Sequence, residues 1–225
     1  MTVIAAAKPT ARPRMRGWLH YWSFYVSLAS GATLIALAGS TVSALAALAT
    51  SVYVATVLGL FGVSALYHRH TWQSVTARVW MKRLDHSMIF LFIAGTYTPF
   101  SLLAMDRPTG YVVLAVVWGG ALAGVALKLL WPHAPRWLGV PIYIALGYVA
   151  VFVLPQLLHH AGVAALVLLL VGGLLYTIGA VFYATRWPNP WPSTWGHHEF
   201  FHAATVLAAI CHYIAIWFAL YSSVR

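Results

Sequence analysis

Acidic residues are almost absent from this chain. Its 225 residues include three, Asp85, Asp106 and Glu199, against 13 lysines and arginines. Charged residues make up 7% of the chain and hydrophobic residues 62%, which leaves too little polar surface to cover a water-soluble globule of this size. The composition therefore excludes a soluble domain and predicts an integral membrane protein.

Cysteine is equally scarce. The single cysteine, Cys211, lies inside an apolar run, so the sequence excludes an internal disulfide framework and a CxxC metal site. The net charge of +10 does not indicate binding to nucleic acid, because the basic residues fall in the N-terminal tail and in short connections between apolar runs. They are typical of topology signals in a membrane protein.

Seven apolar runs are long enough to cross the hydrocarbon core, which takes about 20 residues of helix. We predict one all-α domain at residues 18–225, a seven-transmembrane-helix bundle, preceded by a basic N-terminal tail at residues 1–17. The predicted spans cover residues 18–38, 43–68, 84–105, 110–130, 137–158, 162–184 and 198–221.

The lysines and arginines also predict the orientation of the bundle. All but two of the 13 fall on one side of these alternating spans, and the exceptions are Arg107 and Arg225. Because positively charged loops stay in the cytoplasm, we expect a cytoplasmic N-terminus and an external C-terminus. The predicted location is the plasma membrane, which the chain crosses several times.

The five residues HEFFH begin the last predicted span. Their histidines, His198 and His202, are four apart and share one face of a helix, which makes them a pair of candidate metal ligands. His68 ends the second predicted span and Asp85 begins the third, so this topology brings all four residues to one depth near the cytoplasmic face. We therefore predict a metal site bound by His68, His198 and His202.

Three imidazoles with one open position are typical of catalytic zinc, which lowers the pKa of a bound water to about 7. Asp85 would orient that water or accept its proton, since a carboxylate within the membrane domain is costly and so marks a functional site. Ser64 precedes His68 by four residues and shares its helix face. Its hydroxyl would support a ligand, the water or a substrate carbonyl, unless Ser64 is only a small residue at a helix contact.

The remaining polar residues of the membrane region have plainer interpretations. Glu199 either favours the positive end of its helix or takes part in catalysis, and the sequence leaves both open. His212 would lie about 15 Å deeper than His202, too far to bind the same ion. The other histidines are predicted to be interfacial: His20, His70, His86, His133, His159, His160 and His197.

Three motifs in order resemble those of the hemolysin III family. They are the SALYH of residues 64–68, the RLDHS of residues 83–87 and the HEFFH of residues 198–202. That family belongs with the progestin and adiponectin receptors (PAQR) and is more distantly similar to the alkaline ceramidases. The resemblance covers essentially all of the chain after the tail.

The resemblance implies a seven-helix fold with a cavity open to lipid. It also implies a zinc held by His68, His198 and His202 near the cytoplasmic face, with a water beside Asp85 and with Ser64 in support. For relatives, this arrangement implies hydrolysis of a lipid amide such as ceramide. The family name refers instead to lysis of red cells.

These observations favour a zinc-dependent hydrolase that acts on a lipid amide or ester. A second hypothesis is a non-enzymatic membrane protein in which a structural zinc stabilises the bundle and which senses lipid state or permeabilises membranes. HEFFH also fits H-E-x-x-H, the metalloprotease pattern in which Glu199 would be the general base. Histidines 14 apart, His198 and His212, are also found in haem-binding spans, although His212 has no predicted partner at its own depth.

Overall fold

The computed structural model describes residues 12–131 and 136–222, without the side chains of residues 136 and 137. Every long element within these ranges is helical, and six helical stretches are long and apolar enough to cross a membrane. The predicted all-α membrane protein is confirmed at this level. Three residues of the sequence argument, Lys8, His133 and Arg225, lie outside the described ranges.

Short polar caps set where the helices begin. The Ser43 hydroxyl accepts a hydrogen bond from the backbone N–H of Ala46, and Ser74 does the same for Ala77. The helices are α1 Trp18–Thr41, α2 Ala44–Arg69, α3 Val75–Leu103, α4 Arg107–Leu130, α5 Arg136–Gly147, a 3₁₀ segment Tyr148–Val153, α6 Leu154–Thr185 and α7 His197–Ser222.

Helix α3 begins earlier than the sequence predicts. The apolar run starts at residue 84, but the Ser74 cap starts the helix at Val75. The added residues include the exposed Arg78 and Lys82, so the helix continues as a polar extension beyond its apolar part. Asp85 therefore lies ten residues inside the helix and not at its start.

The predicted fifth and sixth spans form a single helical stretch, Leu138–Thr185, of 48 residues. Two features interrupt its regularity. The 3₁₀ segment separates α5 from α6, and Gly162 inside α6 has φ 83° and ψ 171°, a conformation that favours glycine. Division of this stretch into two spans, and with it the count of seven, stays a prediction.

Tyr97 of α3 holds the 3₁₀ segment in place. Its hydroxyl donates to the Gly147 carbonyl at 2.6 Å and accepts from the Ala150 N–H at 2.7 Å. In an apolar surround, backbone groups released from a regular helix need such partners. The contact fixes the α5–α6 stretch against α3.

Consecutive helices from α1 to α4 pack on one another, and α6 packs along α7. Helix α7 also contacts α1 and α3. The end of α2 and the beginnings of α1 and α7 therefore meet at one end of the bundle. Large apolar side chains such as Trp22, Leu130 and Phe152 are exposed on the outside, as expected for a protein surrounded by lipid.

The described part of the predicted tail, residues 12–17, packs over this end of the bundle. Backbone N–H groups of Arg14 and Met15 donate to the carbonyls of Ser193 and Thr194, in the loop before α7. Arg12 donates to the carbonyl of His68 at 3.2 Å. The basic residues of the tail thus have specific structural partners in addition to the topological role predicted for them.

Candidate metal centre

Three histidines from two helices converge where α2 ends and α7 begins. The last turn of α2 carries His68, and the first two turns of α7 carry His198 and His202. One ring nitrogen from each lies within 4.8 Å of the other two, and the Nε2 atoms of His68 and His198 are 3.1 Å apart. The predicted convergence is confirmed, and the three side chains can hold a metal ion.

Asp85 and Ser64 lie beside this cluster. The Oδ2 atom of Asp85 is 3.8 Å from Nε2 of His68, the same nitrogen that faces His198. Ser64 is buried one turn before His68 and lines the same cavity as Asp85. The structure therefore brings both predicted residues to the centre, although their catalytic roles remain predictions.

His86 was predicted to be interfacial, yet it forms part of the wall of the centre. Its Nδ1 atom lies 3.8 Å from Oδ2 of Asp85 and 2.7 Å from the carbonyl oxygen of Lys82. Its Nε2 atom lies 3.2 Å from the hydroxyl of Tyr183 on α6. His86 thus joins α3 to α6 next to the only carboxylate that faces the histidine cluster among the described residues.

The interfacial prediction is wrong for His20. Its side chain is 2% exposed, and its ring stacks on that of His202 with centroids 3.8 Å apart and planes inclined by 7°. The ring of Phe61 on α2 also contacts it, at 5.1 Å between centroids and an inclination of 53°. The depth argument used for His198 would have found His20, since both residues lie in the first turn of a helix that begins at the same end of the bundle.

Glu199 is buried, and its carboxylate is already engaged. Arg16 donates to Oε1 through Nε, and the backbone N–H of Gly196 donates to Oε2 at 2.8 Å. The second bond closes the first turn of α7 in the manner of a capping box. Of the two interpretations left open by the sequence, the structure favours stabilisation of the helix N-terminus.

None of the remaining described histidines belongs to the cluster. His212 is deeper in the bundle, where its Nε2 atom lies 3.3 Å from the carbonyl oxygen of Leu169. His70 and His159 are exposed, and His160 lies 3.5 Å from Asp106 at the opposite end of the bundle. His197 neighbours the cluster on α7 without belonging to it.

A cavity of about 280 Å³ extends from the histidine cluster into the bundle. Its polar end carries His20, Ser64, Asp85, His198 and His202, and it reaches as far as His212. The walls between these points are mainly apolar and come from α3, α5, α6 and α7, with Phe92, Ile144, Leu157, Leu170 and Phe201 as examples. The centre therefore forms one end of a narrow hydrophobic space.

Fold and cluster together define a multi-pass helical membrane protein with a candidate three-histidine metal centre. The model of the family described as "Haemolysin-III related" matches residues 9–213. The chain therefore belongs to the haemolysin-III related family, and the resemblance seen in its motifs is confirmed.

Individual relatives agree with this assignment. The chain is 37% identical over 100 residues to "Hemolysin-3" of Bacillus cereus, covering 44% of this chain and 46% of that protein. It is 30% identical over 135 residues to "Hemolysin-3 homolog" of Bacillus subtilis, covering 60% of this chain and 61% of that protein. It is 30% identical over 169 residues to "Heptahelical transmembrane protein ADIPOR2" of Oryza sativa subsp. japonica, covering 68% of this chain and 74% of that protein. The matches to the two bacterial proteins span about half to three fifths of their length.

Proposed function

We propose that this protein is a zinc-dependent membrane hydrolase that cleaves a lipid amide or ester of the ceramide type. One observation carries the proposal: the three imidazoles of the cluster lie beside a carboxylate, and two of them, with that carboxylate, line the polar end of a mainly apolar cavity. This arrangement places groups suited to hydrolysis beside a space suited to an acyl chain.

The donor set fits zinc. Two nitrogens bound tetrahedrally at 2.0–2.1 Å from one ion are about 3.3 Å apart. The 3.1 Å between the Nε2 atoms of His68 and His198 is close to that separation, and His202 supplies the third nitrogen. Zinc held there would supply Lewis acidity for attack on a carbonyl group.

Asp85 is the proposed general base. Its Oδ2 atom faces the same space as the His68 nitrogen, so it is positioned to accept the proton that an attacking water must shed. The Ser64 hydroxyl, which lines the same cavity, would support the carboxylate or the substrate carbonyl by donating a hydrogen bond. Because both side chains are largely buried, the surrounding protein keeps bulk water away from this proton transfer.

We further propose seven spans in the plasma membrane, with a cytoplasmic N-terminus, an external C-terminus and the metal centre near the cytoplasmic face. The stretch Leu138–Thr185 supports this count, because its 48 residues would extend about 70 Å as one helix, more than twice the hydrocarbon thickness. The break at Gly162 leaves a piece of about 20 residues or more on each side.

The second candidate function is non-enzymatic, with a structural zinc in a protein that senses lipid state or permeabilises membranes. The name "Hemolysin-3" of the Bacillus cereus relative favours it. The intramembrane protease has less support, because Arg16 and Gly196 already engage the carboxylate of Glu199 that would have to act as its base.

The deciding experiment compares Asp85→Asn with Glu199→Gln. We expect Asp85→Asn to keep zinc and the fold but to lower hydrolysis by about a hundredfold or more, because an amide cannot accept the proton. Glu199→Gln should keep hydrolysis within a few-fold and lower thermal stability instead. Zinc content, unfolding temperature, fatty-acid release from ceramides and acyl esters, and cleavage of a membrane peptide are measured together in detergent.

Each alternative has its own outcome in this experiment. Equal release by wild type and Asp85→Asn would remove Asp85 from the mechanism. Zinc retained by a wild type that releases no fatty acid from any lipid would support the non-enzymatic function. Loss of peptide cleavage in Glu199→Gln alone would support the protease.

A further inference from the structure

His20 lies at the metal centre but is not needed to complete it. Its ring stacks on that of His202, and the ring of Phe61 lies 5.1 Å away between centroids at an inclination of 53°. These two ring contacts fix the orientation of the imidazole. The residue comes from α1, whereas the three candidate ligands come from α2 and α7. Helix α1 thus contributes one buried imidazole to the polar end of the cavity.

The stacking geometry excludes His20 as a further ligand of the ion that His202 would bind. A ring nitrogen binds a metal along its lone pair, which lies in the plane of the ring. The rings of His20 and His202 are inclined by 7° with centroids 3.8 Å apart, so their planes do not meet near either ring. Both lone pairs cannot point at one ion 2.0–2.1 Å away.

The nitrogens of His20 nevertheless need a partner. Neither Nδ1 nor Nε2 has a hydrogen-bond partner among the described residues, and both are buried. A neutral imidazole carries one donor and one acceptor, and leaving such groups unsatisfied in an apolar surround is costly. Phenylalanine would keep the ring contacts with Phe61 and His202 without that cost, so packing alone does not explain a histidine here.

We propose that His20 is a substrate-binding residue that hydrogen-bonds the polar head of the lipid in the cavity. This inference rests on the proposed function, and it adds a requirement on the ligand. The head must carry an amide, hydroxyl or similar group next to the acyl chain, because the apolar walls accommodate the chain while His20 contacts the head at the cluster. The contact makes His20 a determinant of specificity for lipids over plain hydrocarbons.

The test measures binding of two probes to the purified zinc-loaded chain in detergent: hexadecanamide, which has a polar head, and hexadecane, which has none. Wild type should bind hexadecanamide more tightly than hexadecane. His20→Phe keeps the stacked ring but removes both nitrogens, so it should weaken hexadecanamide binding about tenfold and leave hexadecane unchanged. His20→Gln restores an N–H donor and should recover part of the loss.

Two controls accompany these variants. His159→Phe changes an exposed histidine in α6 and should behave as wild type toward both probes. Zinc content should be the same in every variant. Equal affinity of wild type and His20→Phe for hexadecanamide would overturn the inference, and so would loss of zinc in His20→Phe, which would make His20 part of the metal centre.

A second measurement does not depend on how the variant folds. In histidine ¹⁵N NMR spectra of wild type, hexadecanamide should shift the ring signals of His20 and hexadecane should not, with His20→Gln used for assignment. Unchanged His20 signals would overturn the inference. A wild type that binds both probes equally and hydrolyses no lipid would refute the proposed function as well, whereas failure of the His20 variants alone refutes only this role.

Discussion

Arg16 and Glu199 form the ion pair that holds the N-terminal tail against the end of α7 that carries His198 and His202. The Glu199 side chain is 2% exposed and that of Arg16 is 22% exposed. Removing one partner of a buried pair costs about 3–5 kcal/mol, because the other charge stays buried without compensation. Arg16 is partly exposed and the Gly196 N–H still reaches Glu199, so we expect the lower end, about 3 kcal/mol, for Arg16→Met.

That loss should appear as a fall of about 6–12 °C in the unfolding temperature of the detergent-solubilised protein. Arg14→Met, at an exposed position of the same tail, is the matched control and should change stability by no more than about 0.5 kcal/mol. Adding Glu199→Gln to Arg16→Met should recover part of the loss, because the neutral amide can still accept from Gly196. Equal unfolding temperatures for the Arg16 and Arg14 variants would refute this account of the pair.

Two further predictions concern packing and topology. Gly95→Ala places a methyl group against Thr56 where α2 meets α3 and should destabilise the bundle by about 1–3 kcal/mol, measured by thermal unfolding. Gly119 has open space around it, so Gly119→Ala should be nearly neutral in the same assay. Similar losses of stability in both variants would show that the contact with Thr56 does not limit stability. A reporter fused to the N-terminus should behave as cytoplasmic and one fused after Arg225 as external; both termini on one side would show that the chain crosses the membrane an even number of times.

Hydropathy and helix periodicity were enough to predict most of the fold. The ends of α1, α2, α4 and α7 lie within a few residues of the ends of the predicted spans, because in these four helices the apolar run and the helix coincide. They differ for α3, where the cap at Ser74 and not the membrane boundary sets the start. At Gly162, where the sixth predicted span begins, a single change in backbone conformation interrupts the helical stretch without ending it.

The candidate site was predictable to the extent that its residues share one depth. His68, Asp85, His198 and His202 meet as the alternation of the spans requires. The depth of His20 was predictable in the same way, but its stacking on His202 was not, because stacking depends on which helices are neighbours and hydropathy does not reveal the order of helices around a bundle. The engagement of Glu199 was left open for a similar reason, since its partner Arg16 is 183 residues away in the chain.

The central claim is that His68, His198 and His202 bind one zinc ion, and metal analysis of the purified protein tests it most directly. Wild type should carry about one zinc per chain, and alanine at any one of the three positions should remove it, because two remaining imidazoles hold the ion too weakly. His212→Ala, at a histidine deeper in the same cavity, should keep full occupancy. Full zinc occupancy in His68→Ala, or loss of zinc in His212→Ala alone, would contradict the account.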